Sequence, residues 1–438
     1  MIKPFLHDWL TEVTGIPASE LNRAGLEAYQ LDLLKKQLTF AKTNSSFYAG
    51  LYAGYDPQAL GSLADFSGWP QTGPAHLQEH NEAFLCTSQS RVWRVITLQT
   101  SGTTGNPKRL FFSERDLQRT ARYFHYSLKE LAKGCRNLLV LMPGGVPGSV
   151  GDVLRQALAD LPIRCHEYGI VTDFAATLTY IRQNEIDFII GIPSQILNLC
   201  RYSMQHGGLD QIKAVLFGAD YISPFCAETI GKLWHCTTIK HYGSTESALG
   251  AAVNCPDLTG CHIREAELLF EVVDPVTKRP LPDDEIGEIV ISSLNYDCMP
   301  LLRYNTGDLG AISKKPCRCG SVLQRLTKMR PRNTILLDGG ADLDINELDG
   351  VLYKLAGLEY YEADLLSDPQ SGCILEIKLD AAIARQIRMP VLEALNAMPV
   401  LQTSIAAKQL KFKITGCPNF KLGNPYVLKR KINDLRNP

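Results

Sequence analysis

From Val92 to about residue 240 the chain alternates between short apolar runs and amphipathic stretches. The apolar runs are Val92–Leu98, Leu138–Met142, Phe188–Ile192, Ala214–Phe217 and Thr238–His241. Between them lie stretches with helical spacing, such as Gly151–Asp160 and Phe174–Asn184. Runs this short are strands, and helices joining consecutive strands imply a largely parallel sheet. Before residue 90 the pattern is helical and loop-rich, with Leu26–Leu38 at helical spacing. Residues 265–313 read as mainly β, with strands at Leu268–Val273 and Gly287–Ser293. After Pro331 the character changes: a strand at Thr334–Leu337, a helix at Ile345–Leu355 and strands at Ile374–Leu379 and Leu410–Ile414. The expected fold is α/β. A large N-terminal domain (1–330) has mainly parallel sheets flanked by helices plus a β-rich subdomain near 253–325, and a small α+β C-terminal domain (331–438) follows. A length of 438 residues suits two such domains at about 150 residues per domain.

Charge narrows the partners. The net charge of −1 gives no field to hold nucleic acid or an anionic membrane surface. No apolar run approaches the roughly 18–20 residues of a membrane span, and Met1–Trp9 does not read as a signal peptide. The 13 cysteines are odd in number and scattered, which argues against a secreted disulfide framework and for a reducing cytoplasm.

The segment Thr97-Leu-Gln-Thr-Ser-Gly-Thr-Thr-Gly-Asn-Pro-Lys-Arg109 follows the first apolar run. Gly102 and Gly105 let backbone approach an anion closely. Thr100, Ser101, Thr103, Thr104 and Lys108 supply donors for phosphate oxygens. The spacing is not that of a Walker loop.

Thr100–Lys108 resembles the T-S-G-T-T-G-x-P-K loop of adenylate-forming enzymes, the family of acyl-CoA synthetases, luciferases and peptide-synthetase adenylation domains. Two more segments resemble family motifs in the right order: His241-Tyr-Gly-Ser-Thr-Glu246 and Arg303-Tyr-Asn-Thr-Gly-Asp308. Length, the Gly218-Ala-Asp220 turn and the cysteine pattern look most like the phenylacetate–CoA ligase branch, over roughly residues 90–330. The resemblance implies ATP-dependent activation of a carboxylic acid to an acyl-adenylate, then transfer to coenzyme A. The acid is small, with aryl acids among those that fit, and a homodimer is compatible with this reading. An acceptor other than coenzyme A, or a nucleotide-binding protein impaired in catalysis, are the alternatives.

Roles follow residue by residue. The loop would hold the β- and γ-phosphates, Thr245 the α-phosphate and Glu246 a Mg²⁺ ion. Asp308 would accept from the ribose hydroxyls, and Tyr242 with Gly243 would line the adenine. Gly218, Ala219 and Asp220 would line adenine or acyl group, and Arg330 would reach ribose or phosphate near the hinge.

Cys255-x6-His262 and Cys317-x-Cys319-Gly320 flank the β segment. Thiolates and imidazole are preferred ligands of tetrahedral Zn²⁺, and a filled set of four leaves no open position for catalysis. Buried free cysteines are the plainer alternative. Relatives in the same branch look similar here, which implies structural zinc.

The C-terminal part departs from the family. The hinge reads Met329-Arg-Pro-Arg-Asn333 instead of G-R-x-D-D, and the near-terminal G-K is blurred. Lys429 is the first candidate for the catalytic lysine and Lys431 the second. The loop Pro143–Gly151 either shapes the acyl pocket or only turns the chain from strand to helix.

Overall fold

The computed structural model describes residues 4–98, 107–330, 334–337, 340–358, 360–369, 372–418 and 431–436. The strands in chain order are β1 (Arg94–Leu98), β2 (Lys108–Phe112), β3 (Asn137–Leu141), β4 (Arg164–Glu167), β5 (Phe188–Gly191), β6 (Ala214–Phe217) and β7 (Thr237–Tyr242). They continue with β8 (Ala252–Asn254), β9 (Cys261–Ile263), β10 (Leu268–Val273), β11 (Gly287–Ser293), β12 (Tyr304–Ser313) and β13 (Arg325–Arg330). Strands β3 to β13 form one 11-stranded sheet in the order β10-β11-β12-β13-β9-β8-β7-β6-β5-β3-β4.

Strands β3, β4, β5, β6 and β7 are mutually parallel. Strands β5 and β6 are buried at every position, as expected for a sheet covered by helices on both faces. Alternation along them divides the core. Leu139, Leu141, Ile189, Val215 and Phe217 face one apolar layer with the helices Phe174–Gln183, Pro193–Gln205 and Pro224–Leu233. Leu138, Val140, Ile190, Leu216 and Ile239 face another with Glu114–Leu131, Val150–Leu158 and the N-terminal helix His7–Thr14. The helix Glu114–Leu131 is fixed at its start by a capping box: the Ser113 side chain takes the Asp116 N–H, and Asp116 returns the bond to the Ser113 N–H.

One expectation needs correction. The run Val92–Leu98 does not enter the parallel sheet: β1 pairs antiparallel with β2, with Leu98 opposite Lys108, as a separate two-stranded ribbon. Its positions alternate between half-buried and exposed, the pattern of a half-exposed strand, whereas β5 is buried throughout. The β-rich segment continues the same sheet. Strand β8 pairs antiparallel with β7, and the sheet, now mixed, runs on through β9 and β13 to β10.

Beyond residue 334 lie β14 (Ile335–Leu336), β15 (Asp342–Leu343), β16 (Glu362–Asp368), β17 (Gly372–Asp380), β18 (Leu410–Cys417) and β19 (Ile432–Asp434). The last four make a sheet in the order β18-β17-β16-β19, backed by the helix Ala381–Asn396. This part docks on the helices Pro193–Gln205 and Pro224–Leu233. Arg201 donates to the Leu358 carbonyl at 3.0 Å and its guanidinium lies over the Tyr353 ring at 5.5 Å.

The chain leaves β3 for the edge strand β4, then returns to the other side of β3 as β5. Parallel strands whose order reverses this way open a crevice at their carboxyl ends, where ligands of open α/β sheets bind.

Candidate functional site

The carboxyl ends of β3, β5, β6 and β7 deliver Pro143–Ser149, Ile192, Gly218-Ala-Asp220 and Gly243–Leu249 to that crevice. The loop after β3 doubles back on itself: a Cβ on Gly151 would lie 2.9 Å from the Gly144 Cα. After β7 the turn is tighter. A Cβ on Gly243 would meet the Leu249 carbonyl oxygen at 2.1 Å, so only glycine fits. Ala248 and Leu249 take positive φ of 52° and 75° to close the turn. Ser244 and Ser247 brace it, with the Ser244 N–H donating to the Ser247 hydroxyl at 3.0 Å. Thr245 is half-buried on this turn, and Glu246 beside it is buried.

Glu246 meets Lys108, which opens β2 where the chain returns from the 99–107 loop. The Lys108 Nζ donates to the Glu246 carboxylate at 2.8 Å, with both side chains almost fully buried. The Tyr304 hydroxyl donates to the same oxygen at 3.3 Å. The site thus holds one cation and one anion next to each other. Thr100, Ser101, Gly102, Thr103, Thr104 and Gly105 lie outside the described residues, as do Lys429, Pro331, Arg332 and Asn333.

A second pair lies at the end of β7. The Tyr242 hydroxyl donates to Asp308 at 2.9 Å. Gly307 at φ 74° and the bond from the Asp308 N–H to the Thr306 hydroxyl kink β12 here. Arg330 ends β13 opposite Leu309, so it sits next to Asp308 across the ladder. Ala219, at φ 68°, turns the chain after β6, and Asp220 accepts from the Tyr221 N–H at 2.8 Å. Burial, then the nearby Asp344, push the Tyr221 hydroxyl up against the opposing pull of Arg330.

The ligand atoms of Cys255, His262, Cys317 and Cys319 lie within 4.8 Å of one another. The Cys255 and Cys317 sulfurs are 3.7 Å apart, and the Cys319 sulfur is 3.2 Å from the His262 Nε2. His262 Nδ1 is 3.1 Å from the Leu323 carbonyl, which fixes the tautomer that leaves Nε2 for a metal. Contact with Cys255, then with His262, pulls the Cys319 thiol down, and the bond to Cys319 together with burial pushes the Cys255 thiol up. This donor set fits Zn²⁺. Cys261 points the other way, toward the Lys240 carbonyl at 3.5 Å.

Residues 79–296 match the AMP-binding enzyme family. Curated relatives include the phenylacetate–coenzyme A ligase of Thermus thermophilus, 27% identical over 352 residues, covering 76% of this chain and 77% of the relative. The phenylacetate–coenzyme A ligase of Escherichia coli is 26% identical over 358 residues, covering 78% of this chain and 79% of the relative. The chain is an adenylate-forming, phenylacetate–CoA ligase-like protein. Among solved structures, 2-hydroxyisobutyryl-CoA ligase in its postadenylation state shares the fold, with a TM-score of 0.74 at 18% identity over 97% of this chain and 92% of that one. Among the described residues no helix is long and apolar enough to cross a membrane.

For this ligase-like chain two pairs of motif residues converge, Lys108 with Glu246 and Tyr242 with Asp308, and Arg330 ends β13 one register step from Asp308. Sequence reading missed Tyr304. Tyr304 stands inside the Arg303–Asp308 motif, but only the pleat of β12 turns it to Glu246. Arg303 of the same motif is structural: it is buried and grips the Glu271 carboxylate with two bonds of 3.0 Å.

Proposed function

We propose that this protein joins a small carboxylic acid to coenzyme A in two half-reactions. In the first, a carboxylate oxygen attacks the α-phosphorus of ATP. The bond to the bridging α–β oxygen breaks, and pyrophosphate leaves with that electron pair. In the second, the coenzyme A thiolate attacks the acyl carbon and AMP departs.

The observation that carries this reading is the pairing of Lys108 with Glu246 at the crevice, one turn from Tyr242 and Asp308. An adenosine held by Tyr242 and Asp308 would extend its phosphates toward Lys108 and the loop at 100–105. There Lys108 would give up Glu246 for a phosphate oxygen, a charge-assisted bond in a water-poor site. Glu246 would then be free to hold Mg²⁺, which supplies positive charge to the phosphates. Thr245 would donate to the α-phosphate, and Lys429 would neutralise the attacking carboxylate. Gly218–Asp220 and Arg330 would border the nucleotide. The four-ligand cluster would hold a structural Zn²⁺ away from the reaction.

A panel of carboxylic acids tests the proposal. Pyrophosphate exchange must depend on the acid, and product mass must show a thioester only when coenzyme A is present. Exchange without a thioester would replace coenzyme A by another acceptor; no exchange with any acid would remove the adenylation step.

A further inference from the structure

Register places four residues in one row where the parallel strands end. Leu141 pairs with Gly191, Gly191 with Phe217, and Phe217 with Lys240. The next residue on each strand is Met142, Ile192, Gly218 and His241. Alternation turns these four to the face covered by the helix Glu114–Leu131, where Met142, Ile192 and Phe124 belong to one apolar layer. Tyr242, one residue on, faces the other way, toward Asp308.

The row has a gap. Gly218 carries no side chain, and among the described residues beyond its chain neighbours only the Met142 Cε, at 3.8 Å, comes within 4 Å of a Cβ built there. Among the described residues the place of a Gly218 side chain is therefore an open slot between Ile192 and His241. His241 is half-buried beside it, its ring edge-on to Phe124 at 5.6 Å. Its Nε2 atom is enclosed and has no hydrogen-bond partner among the described residues. An enclosed polar atom without a partner is destabilising and calls for an explanation, of which a bound ligand is one.

Resting on the adenylation reading above, we propose that His241 reads the acid's tail: the slot takes a monocarboxylic acid carrying a hydroxyl group, which bonds the imidazole. Burial pulls the His241 pKa down to about 4, so the ring is neutral near pH 7. A neutral imidazole offers one donor and one acceptor nitrogen. A hydroxyl both gives and accepts, so it suits either tautomer. A second carboxylate or an ammonium group would lie among Met142, Ile192 and Phe124 without a counter-charge, which burial disfavours.

The test compares matched acids by pyrophosphate exchange: 4-hydroxyphenylacetate with phenylacetate, 4-hydroxybenzoate with benzoate, and 3-hydroxybutyrate with butyrate. Each pair is run on the native protein, on His241→Phe and on His241→Asn, with AMP binding by calorimetry as the check on folding. The native protein should favour the hydroxyl-bearing member of at least one pair by about tenfold in kcat/KM, the scale of one hydrogen bond lost from a site built to make it. His241→Phe should erase that ratio while keeping or raising turnover of the plain acid, and His241→Asn should retain part of it. Native ratios near one in every pair overturn the inference without any variant, and leave adenylation standing. A hydroxyl preference that survives His241→Phe also overturns it. Exchange with no acid at all overturns the adenylation reading and this inference together.

Discussion

Tyr242 and Asp308 come from motifs more than sixty residues apart, yet they share a 2.9 Å hydrogen bond. If Asp308 accepts from a ribose, Asp308→Ala removes a charge-assisted bond worth about 1.5–3 kcal/mol. AMP affinity should then fall roughly tenfold to hundredfold. Tyr242→Phe keeps the ring and loses only the bond that orients Asp308, so about 0.5–1.5 kcal/mol is expected. Calorimetry with AMP reads both; an unchanged affinity in Asp308→Ala sinks the ribose assignment. Both residues were legible as motif members, since each lies in a short segment with a recognisable spacing. Their mutual bond was not, because it depends on a sheet that brings β7 and β12 to one crevice. Tyr304 was hidden for a related reason: a tyrosine in a strand is ordinary until the pleat aims it at a buried carboxylate.

Turns and loops carry the next set of expectations. Gly243→Ala would place a methyl 2.1 Å from the Leu249 carbonyl oxygen, so the turn must shift. Overpacking of this kind costs about 1–3 kcal/mol, and here the loss should appear both in Tm and in nucleotide affinity, because the turn carries Thr245 and Glu246. A normal Tm and normal AMP binding in Gly243→Ala would show that the turn tolerates displacement. The cysteine cluster ties β8 and β9 to the turn at Cys317–Cys319. If it holds Zn²⁺, protein purified without added metal should contain about one equivalent, as a single closed four-ligand site requires. Cys317→Ser should lower Tm more than it slows pyrophosphate exchange. Fully stable metal-free protein would refute the site. That these four side chains could form one cluster was legible in the chain, because zinc ligation depends on residue type and short spacing. The Leu323 carbonyl that orients His262 was not, since any residue supplies a carbonyl.

Across the whole molecule the two half-reactions make opposing demands. Adenylation wants a cation beside the carboxylate, and thioester formation wants an open path for the thiolate. A small domain that turns about the segment after Arg330 would serve both. Pro331 fixes its own φ and restricts Arg330, so the turning would fall at Arg332 or Asn333. Lys429→Ala should slow adenylation and leave thioester formation from supplied acyl-adenylate near normal, whereas Arg332→Pro should do the reverse. Quench-flow separates the steps; equal slowing of both by both variants defeats the two-conformation reading. If Lys431→Ala, not Lys429→Ala, abolishes adenylation, the lysine is reassigned and the motion stands. The seam to be broken is the contact of Arg201 with Tyr353 and Leu358. By itself the sequence determined the elements and the chemistry: apolar runs the length of strands, glycine turns after them, and side chains suited to phosphate, ribose and zinc. These depend on local propensity and residue type, which a chain displays in order. Only the tertiary structure decided that β1 leaves the main sheet, that the β-rich segment continues it, that Lys108 rests on Glu246, and that His241 stands beside the gap at Gly218. Each of those is a contact between segments far apart in the chain, set by strand order and register, and register is a property of the assembled sheet.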